Sequence, residues 1–333
     1  MLRMPRFSVQ TPATIEEAVT ALQSPGARVV AGGTDLLPNL KHRLEQPPVL
    51  VSLSRVEGMR AVAIDEATKM LRIGARVTLT GVSEDPLVRE HFGSLAQAAG
   101  LVASPLIRNM ATLGGNINLD TRCRYVNQTA FWREAIGGGC IKSEGNVCHV
   151  VPGGRNCVAA MSSDCVPVLI GLGAHVVLVG PNGRRELPIE DYYVADGTRH
   201  TTRDDGELST EILVPLPTGP RRCHYSKWTV RGSIDFPLIS VALRFELERD
   251  RIDAPITAAH VVAGVLGARP RRVTRLDDIL GKALSDQGVA SAVAERVHKQ
   301  CKPLENVPYE APYRRQMLRV HTRRAIEALV AAG

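Results

Sequence analysis

Val29-Val-Ala-Gly-Gly-Thr-Asp-Leu36 runs an apolar strand straight into two glycines, a hydroxyl and a carboxylate, then back into apolar residues. Glycine lets the backbone approach a ligand closely. Successive N–H groups at such a turn form an anion-binding nest suited to a pyrophosphate. The stretch is neither G-x-G-x-x-G nor a P-loop, since no Gly-Lys-Ser/Thr follows, and a purely structural turn would read the same way. Upstream, Thr14-Ile-Glu-Glu17 is a capping-box pattern. It predicts a helix from Ile15 to Leu22, ended by Pro25-Gly26. With Phe7 to Val9 extended, and strands over Ala27 to Ala31 and Val49 to Leu53, the first fifty residues read as a small β-α-β unit.

Ala111-Thr-Leu-Gly-Gly-Asn116 repeats the chemistry, with a hydroxyl and an amide beside two glycines. Two such turns in one chain point towards a dinucleotide. Before the second turn, Met70 to Val77 reads as a strand and Gly93 to Leu101 as a small-residue helix. After it, Asp164-Cys165-Val-Pro167 leads into the apolar Val168 to Val179, and Pro181-Asn182-Gly183 is a turn. Pro215, Pro217, Gly219 and Pro220 mark a domain boundary. Beyond it Pro237 to Leu247 alternates like a strand, and helical patterns run from Leu276.

A length of 333 residues accommodates two domains, and 23% charged residues argue against disorder. The N-terminus has no apolar signal-peptide core. The longest apolar run, Val166 to Gly180, is broken by Gly171, Gly173 and His175 and is too short to span a bilayer. These features predict a cytoplasmic protein without membrane contact, in which thiols stay reduced. The net charge is +7, and Arg314, Arg315, Arg319, Arg323 and Arg324 form a basic run. Aromatics make up only 4% of the chain, and none interleaves with these arginines as base-stacking platforms would, so nucleic acid is not expected. The expected form is a helix with Met317, Leu318, His321 and Ala325 inward and the arginines solvated.

Four of the seven cysteines, Cys123, Cys140, Cys148 and Cys157, fall in one glycine-rich stretch with spacing C-x16-C-x7-C-x8-C. Structural zinc sites usually carry paired C-x2-4-C knuckles, absent here. Iron–sulfur clusters also take four thiolates, and a wrapping loop can supply them at dispersed spacing. Gly137-Gly138-Gly139, Gly145 and Gly153-Gly154 suit such a loop, and Phe131 and Trp132 are placed to shield a cluster or to pack in a core. Cluster, zinc, disulfides and unligated thiols all stay open on pattern alone. Cys165, Cys223 and Cys301 read as packing residues.

Taken in order, AGGTDL, ATLGGN, S-D-x-x-P and Tyr225-Ser226-Lys227 followed by Asp235 resemble the FAD-binding medium subunits of the molybdenum hydroxylase family, over nearly the whole chain. Within that family the four-cysteine insertion resembles the 4-hydroxybenzoyl-CoA reductase branch, whose β subunits carry an extra [4Fe-4S] cluster after the second flavin loop. Thr121-Arg-Cys123-Arg-Tyr125, Asn127-Gln128, Trp132-Arg133 and Cys148-His-Val150 carry this closer likeness.

The resemblance implies an α+β fold with three parts. A two-subdomain FAD-binding module spans 1–217 (1–55 and 56–217, the insertion at about 120–160), and a smaller C-terminal α+β domain spans 221–333. It implies that Val29, Val30, Ala31, Gly32, Gly33, Thr34, Asp35 and Leu36 hold the FAD pyrophosphate through backbone amides. Thr112, Leu113, Gly114, Gly115 and Asn116 form the second clamp, Asp164 meets the ribose and adenine end, and Val102 and Lys227 lie near the flavin ring, with Asp235 in the same neighbourhood. Cys123, Cys140, Cys148 and Cys157 become cluster ligands. Cys165 stands where relatives often have an apolar residue, and Val230 to Ile234 replaces an arginine-rich segment.

The implied partners are a molybdopterin large subunit and a small subunit with two [2Fe-2S] clusters, in a dimer of heterotrimers, with ferredoxin as electron donor for reductive dehydroxylation of 4-hydroxybenzoyl-CoA. No substrate acid or base lies on this chain. The alternatives are an FAD subunit of an oxidative molybdenum hydroxylase, passing electrons outward to NAD⁺ or a quinone, and a zinc-stapled interaction protein.

Overall fold

A computed structural model describes residues 3–332. The N-terminal strands β1 (Ser8–Gln10), β2 (Arg28–Val30) and β3 (Val49–Ser52) form a parallel sheet in the order β1-β3-β2. Helix α1 (Ile15–Leu22) makes the crossover, over the range the sequence predicts. The Thr14 hydroxyl accepts the Glu17 N–H at 3.1 Å, satisfying an orphan donor of the first turn, and the Glu17 carboxylate takes the N–H of Ala13, just ahead of the cap, at 2.8 Å. Ala18, Val19 and Leu22 point into the core. Helix α2 (Leu36–Lys41) starts where the 29–36 stretch ends.

The second sheet is antiparallel: β4 (Val62–Asp65), β5 (Met70–Gly74), β6 (His175–Gly180), β7 (Gly183–Pro188) and β8 (Leu208–Pro215), in the order β4-β5-β8-β6-β7. The connection from β5 to β6 carries α3 (Leu79–Glu84), α4 (Pro86–His91), α5 (Gly93–Gly100), α6 (Pro105–Arg108), α7 (Leu113–Ile117), α8 (Ala130–Ile136) and α9 (Cys165–Leu172). The apolar run after Asp164 divides at Gly173, whose left-handed φ of 74° caps α9 and lets the chain turn back into β6. All eight residues of α9 are buried. A helix apolar all round needs a neighbour on every side. It gets one from each half of the molecule.

The third sheet, β9 (Arg221–Trp228), β10 (Ile239–Leu247), β11 (Ile256–Gly264) and β12 (Arg271–Val273), is antiparallel in the order β12-β11-β10-β9. Ile239, Val241, Leu243, Phe245 and Leu247 of β10 share one core with α10 (Val289–Gln300) and α11 (Ala311–Ala331). Ala242 of β10, Val262 of β11 and Tyr225 of β9 instead join the core around α9.

On α11, Leu318 and Ala325 face inward as expected, whereas Met317 and His321 are only half-buried. The basic run departs further from expectation. Arg314 is completely buried. Its guanidinium donates to the carbonyls of Leu238 at 3.0 Å, Leu304 at 2.6 Å and Val265 at 2.5 Å, and to Asn306 Oδ1 at 3.3 Å. It is a structural tie among three segments, not part of a solvated face. Among the described residues no helix is long and apolar enough to cross a membrane.

Candidate functional site

The turn after β2 and the turn before α7 meet. A β-carbon on Gly32 would run into the Met110 carbonyl and stand 3.0 Å from the Ala111 nitrogen. This close approach leaves beside it a cavity of about 740 Å³, within the range of small-molecule and cofactor sites, roughly 300–1,000 Å³. All eight residues from Val29 to Leu36 line it, as do Val102, Thr112, Gly114, Gly115, Asn116 and Asp164.

The two turns present different chemistry to the cavity. No protein acceptor among the described residues takes the N–H groups of Gly32, Gly33 or Thr34, so these donors are free for an anion. In the second turn the N–H groups are already engaged: Leu113 to Val77 O at 2.9 Å, Gly114 to Ala75 O at 2.8 Å, Asn116 to Thr112 O at 2.8 Å, and Gly115 to Thr112 Oγ1 at 3.0 Å. Asn116 Oδ1 accepts from Ser163 Oγ at 2.5 Å. The second turn therefore supplies a close-packed wall. Gly114 is required because a β-carbon there would sit 2.6 Å from the Ala75 carbonyl oxygen.

Two expected residues lie off the cavity wall. Leu113 is fully buried in the core. Lys227 stands behind Asp164, its Nζ 3.1 Å from Asp164 Oδ2 and 3.0 Å from Leu101 O, while Tyr225 Oη donates to Asp164 Oδ1 at 2.7 Å. The two residues expected at opposite ends of FAD thus form one buried ion pair. Burial raises the Asp164 carboxyl above its ordinary range, and the Lys227 charge and the Tyr225 hydroxyl pull against that rise.

The sequence reading missed the opposite flank, Thr198 to Thr201 with Arg203, Glu207 and Ser209. His200 lies there, stacked on Tyr193 at 6.3 Å, with Nε2 unpartnered. Burial holds its imidazole down at about 4, so it is neutral near pH 7. Asp235 and Phe236 close another side. Phe236 carries the Arg122 guanidinium over its ring at 4.8 Å, and Arg122 pairs with Asp35 of the first turn. No motif marks this flank, because loops distant in sequence assemble it.

Cys123, Cys140, Cys148 and Cys157 come together on one small apolar pocket, about 20 Å³, with Tyr125, Val126, Ile141, Val150 and Val158 around it. All four are free thiols. N–H groups of Tyr125 and Val151 point at the Cys123 and Cys148 sulfurs at 3.5 and 3.4 Å. Burial pushes the Cys123 and Cys157 thiols up. Among the described residues no three His, Cys, Asp or Glu side chains form a group able to hold a single metal ion. Four thiols are the donor type of a four-thiolate group, while a pocket of about 20 Å³ would have to open to hold one.

Glycines with left-handed φ, Gly138 at 80° and Gly153 at 69°, shape the loop. The expected aromatic shield differs from the one observed. Phe131 is exposed and Trp132 only edges Tyr125, whereas Tyr125 is buried and stacks on His149 at 4.3 Å. Cys165 belongs to the α9 core, apart from this pocket.

Residues 5–217 match the family described as the FAD binding domain in molybdopterin dehydrogenase, and 224–329 match the CO dehydrogenase flavoprotein C-terminal domain. The carbon monoxide dehydrogenase medium chain of Hydrogenophaga pseudoflava is 28% identical over 329 residues, covering 97% of each chain. An aldehyde oxidoreductase FAD-binding subunit of Escherichia coli (strain K12) is 33% identical over 295 residues, covering 85% of this chain and 89% of that one. The solved carbon monoxide dehydrogenase from Hydrogenophaga pseudoflava superposes with a TM-score of 0.77 at 24% identity, covering 99% of each chain. Fold and cleft define a flavin-binding subunit of an oxidoreductase. The chain belongs to the FAD-binding medium subunits of the molybdenum hydroxylase family.

Proposed function

We propose that this chain is the redox-relay subunit of a 4-hydroxybenzoyl-CoA reductase, holding FAD in the 740 Å³ cleft and a [4Fe-4S] cluster on Cys123, Cys140, Cys148 and Cys157. The observation that carries the reading is the gathering of four unpaired thiols on one apolar pocket whose wall the cleft shares at Val126, Ile141 and Lys142. When bound, FAD and the cluster supply paired- and single-electron redox capacity.

The protein's own part is positional. The free N–H groups of Gly32 to Thr34 would hold the pyrophosphate, Val102 would line the place of the ring system, and Asp164, fixed by Lys227 and Tyr225, would meet the ribose and adenine end. The 1–217 and 221–333 division, a cytoplasmic setting, a molybdopterin large subunit and a small [2Fe-2S] subunit in a dimer of heterotrimers, and a ferredoxin donor belong to the same reading. The overall reaction takes two electrons and two protons into 4-hydroxybenzoyl-CoA and releases water and benzoyl-CoA.

Purification of the native complex with iron and acid-labile sulfide analysis tests it. Four irons above those of the small subunit are expected, and Cys140→Ser or Cys148→Ser removes them while FAD stays. Unchanged iron in both variants refutes the ligand set. A second reading, an oxidative hydroxylase subunit passing electrons outward, is favoured by the names of the relatives, carbon monoxide dehydrogenase and aldehyde oxidoreductase. Turnover of 4-hydroxybenzoyl-CoA with a reduced low-potential donor, set against NAD⁺ or quinone reduction by aldehydes, separates the two.

A further inference from the structure

Two residues beyond Cys140, Lys142 turns its ammonium inward. Its side chain is 12% exposed, and Nζ donates to Asp120 Oδ1 at 2.6 Å, to Gly197 O at 2.8 Å and to the Thr121 hydroxyl. Those partners tie it to both sites. Asp120 lies on the cleft wall. Gly197 donates its N–H to Cys157 O at 2.9 Å and packs so tightly that a β-carbon there would sit 2.7 Å from Cys157 Sγ. Lys142 itself lines the cleft and the four-cysteine pocket alike, and its shared neighbours Val126 and Ile141 are apolar. Of the residues common to both walls it is thus the one with a charge.

We propose that Lys142, held by Asp120, Thr121 and Gly197 in the wall between the two pockets, is a positioning residue whose charge sets the reduction potentials of the flavin and the cluster relative to each other. The inference rests on the cluster reading above. Adding an electron on either side of the wall adds negative charge, which a fixed cation favours and a fixed anion opposes. Asp120 is the counterweight, with its carboxylate on the cleft side of the same ion pair. A unit charge about 10 Å away in a medium of effective dielectric about 20 changes such an equilibrium roughly tenfold, equivalent to about 59 mV for one electron.

The test is a redox titration of the purified complex, following flavin absorbance and the cluster's electron paramagnetic resonance in wild type, Lys142→Met, Lys142→Arg and Asp120→Asn. Lys142→Met lowers both potentials, Asp120→Asn raises them, and Lys142→Arg restores values close to wild type. Opposite signs from two members of one ion pair are what a merely structural contact does not give. Potentials unmoved in a complex that retains its four extra irons, or shifts of the same sign in the methionine and asparagine variants, overturn the inference and leave the cluster reading standing. A wild-type complex without those irons overturns both.

Discussion

Replacing Gly32 by alanine tests whether the two turns must touch for the cleft to bind flavin. The added β-carbon would collide with the Met110 carbonyl oxygen and stand 2.5 Å from the carbonyl carbon, where ordinary contact begins at 3.4 Å, so the turns must part by at least 0.9 Å. Both partners are backbone, and no side chain can swing aside to absorb the shift. The Ala111 N–H is bonded to Ile107 O at 2.8 Å and the Ala111 carbonyl accepts from Leu79 N at 2.8 Å, so the second turn is anchored on both sides. The displacement therefore falls on the first turn, which carries the free N–H donors. Overpacking of this kind costs about 1–3 kcal/mol, and lost alignment of the amide donors adds about 1 kcal/mol.

Flavin affinity should then fall roughly 30-fold to 1,000-fold, at about 1.4 kcal/mol per decade. Flavin content of the purified complex, followed by titration of the stripped protein with FAD, measures it. Gly219→Ala is the control, since nothing lies within 4 Å of that position. Gly33→Ala has a different cause, because Gly33 has φ +71° and its β-carbon would meet side chains alone, Leu37 at 3.0 Å and Val30 at 3.6 Å. Its loss should be the left-handed penalty of about 1–2 kcal/mol, partly relieved by asparagine. Flavin retained at wild-type affinity in Gly32→Ala would refute the idea that contact between the turns shapes the site.

Three further outcomes are expected. Lys227→Met leaves the Asp164 carboxylate buried and unpaired, destabilising the fold by about 3–5 kcal/mol at neutral pH. Because burial holds the Asp164 carboxyl above its ordinary 3.8, its contribution is fully present below that pH and is lost as pH rises through the folded value. The variant's unfolding midpoint in urea should therefore drop, relative to wild type, as pH climbs from acid to neutral, and Asp164→Asn in the same chain should flatten the slope. Gly197→Ala pushes on Cys157 without altering a thiol; iron content should fall while FAD stays, and unchanged iron removes Cys157 from the ligand set. Arg314→Met strands three backbone carbonyls and the Asn306 side chain, costing about 1–3 kcal/mol for each acceptor left buried without a donor, read by thermal melting; a loss below 1 kcal/mol contradicts the role assigned to Arg314.

What the sequence conveyed depended on how local the cause was. Helix α1 was legible to the residue because Thr14, Glu17 and the spacing of Ala18, Val19 and Leu22 act within three turns. The strand-to-glycine turn at 29–36 was legible for the same reason. The doubled glycines at 114–115 look like a second anion nest, but their N–H groups go to Ala75, Thr112 and other protein acceptors that only the folded chain brings near. Arg314 looks solvated because its acceptors come from residues 238, 265, 304 and 306, and Lys142 looks like loop because Asp120 and Gly197 reach it across 22 and 55 residues. Gathered cysteines announced a shared pocket, but not the tyrosine and histidine stacked against it.

Helix α9 sits between the two matched families. It lies in the first along the chain, yet β10 and β11 of the second cover it, and Asp164 at its start is held by Tyr225 and Lys227 from β9. The boundary near residue 220 is thus a joint in the gene without being a joint in the molecule. Cutting there would bare an entirely apolar helix and leave a buried carboxylate without its cation. The two segments therefore depend on each other for burial, and any chimera that swaps one must carry α9's contact residues across with it.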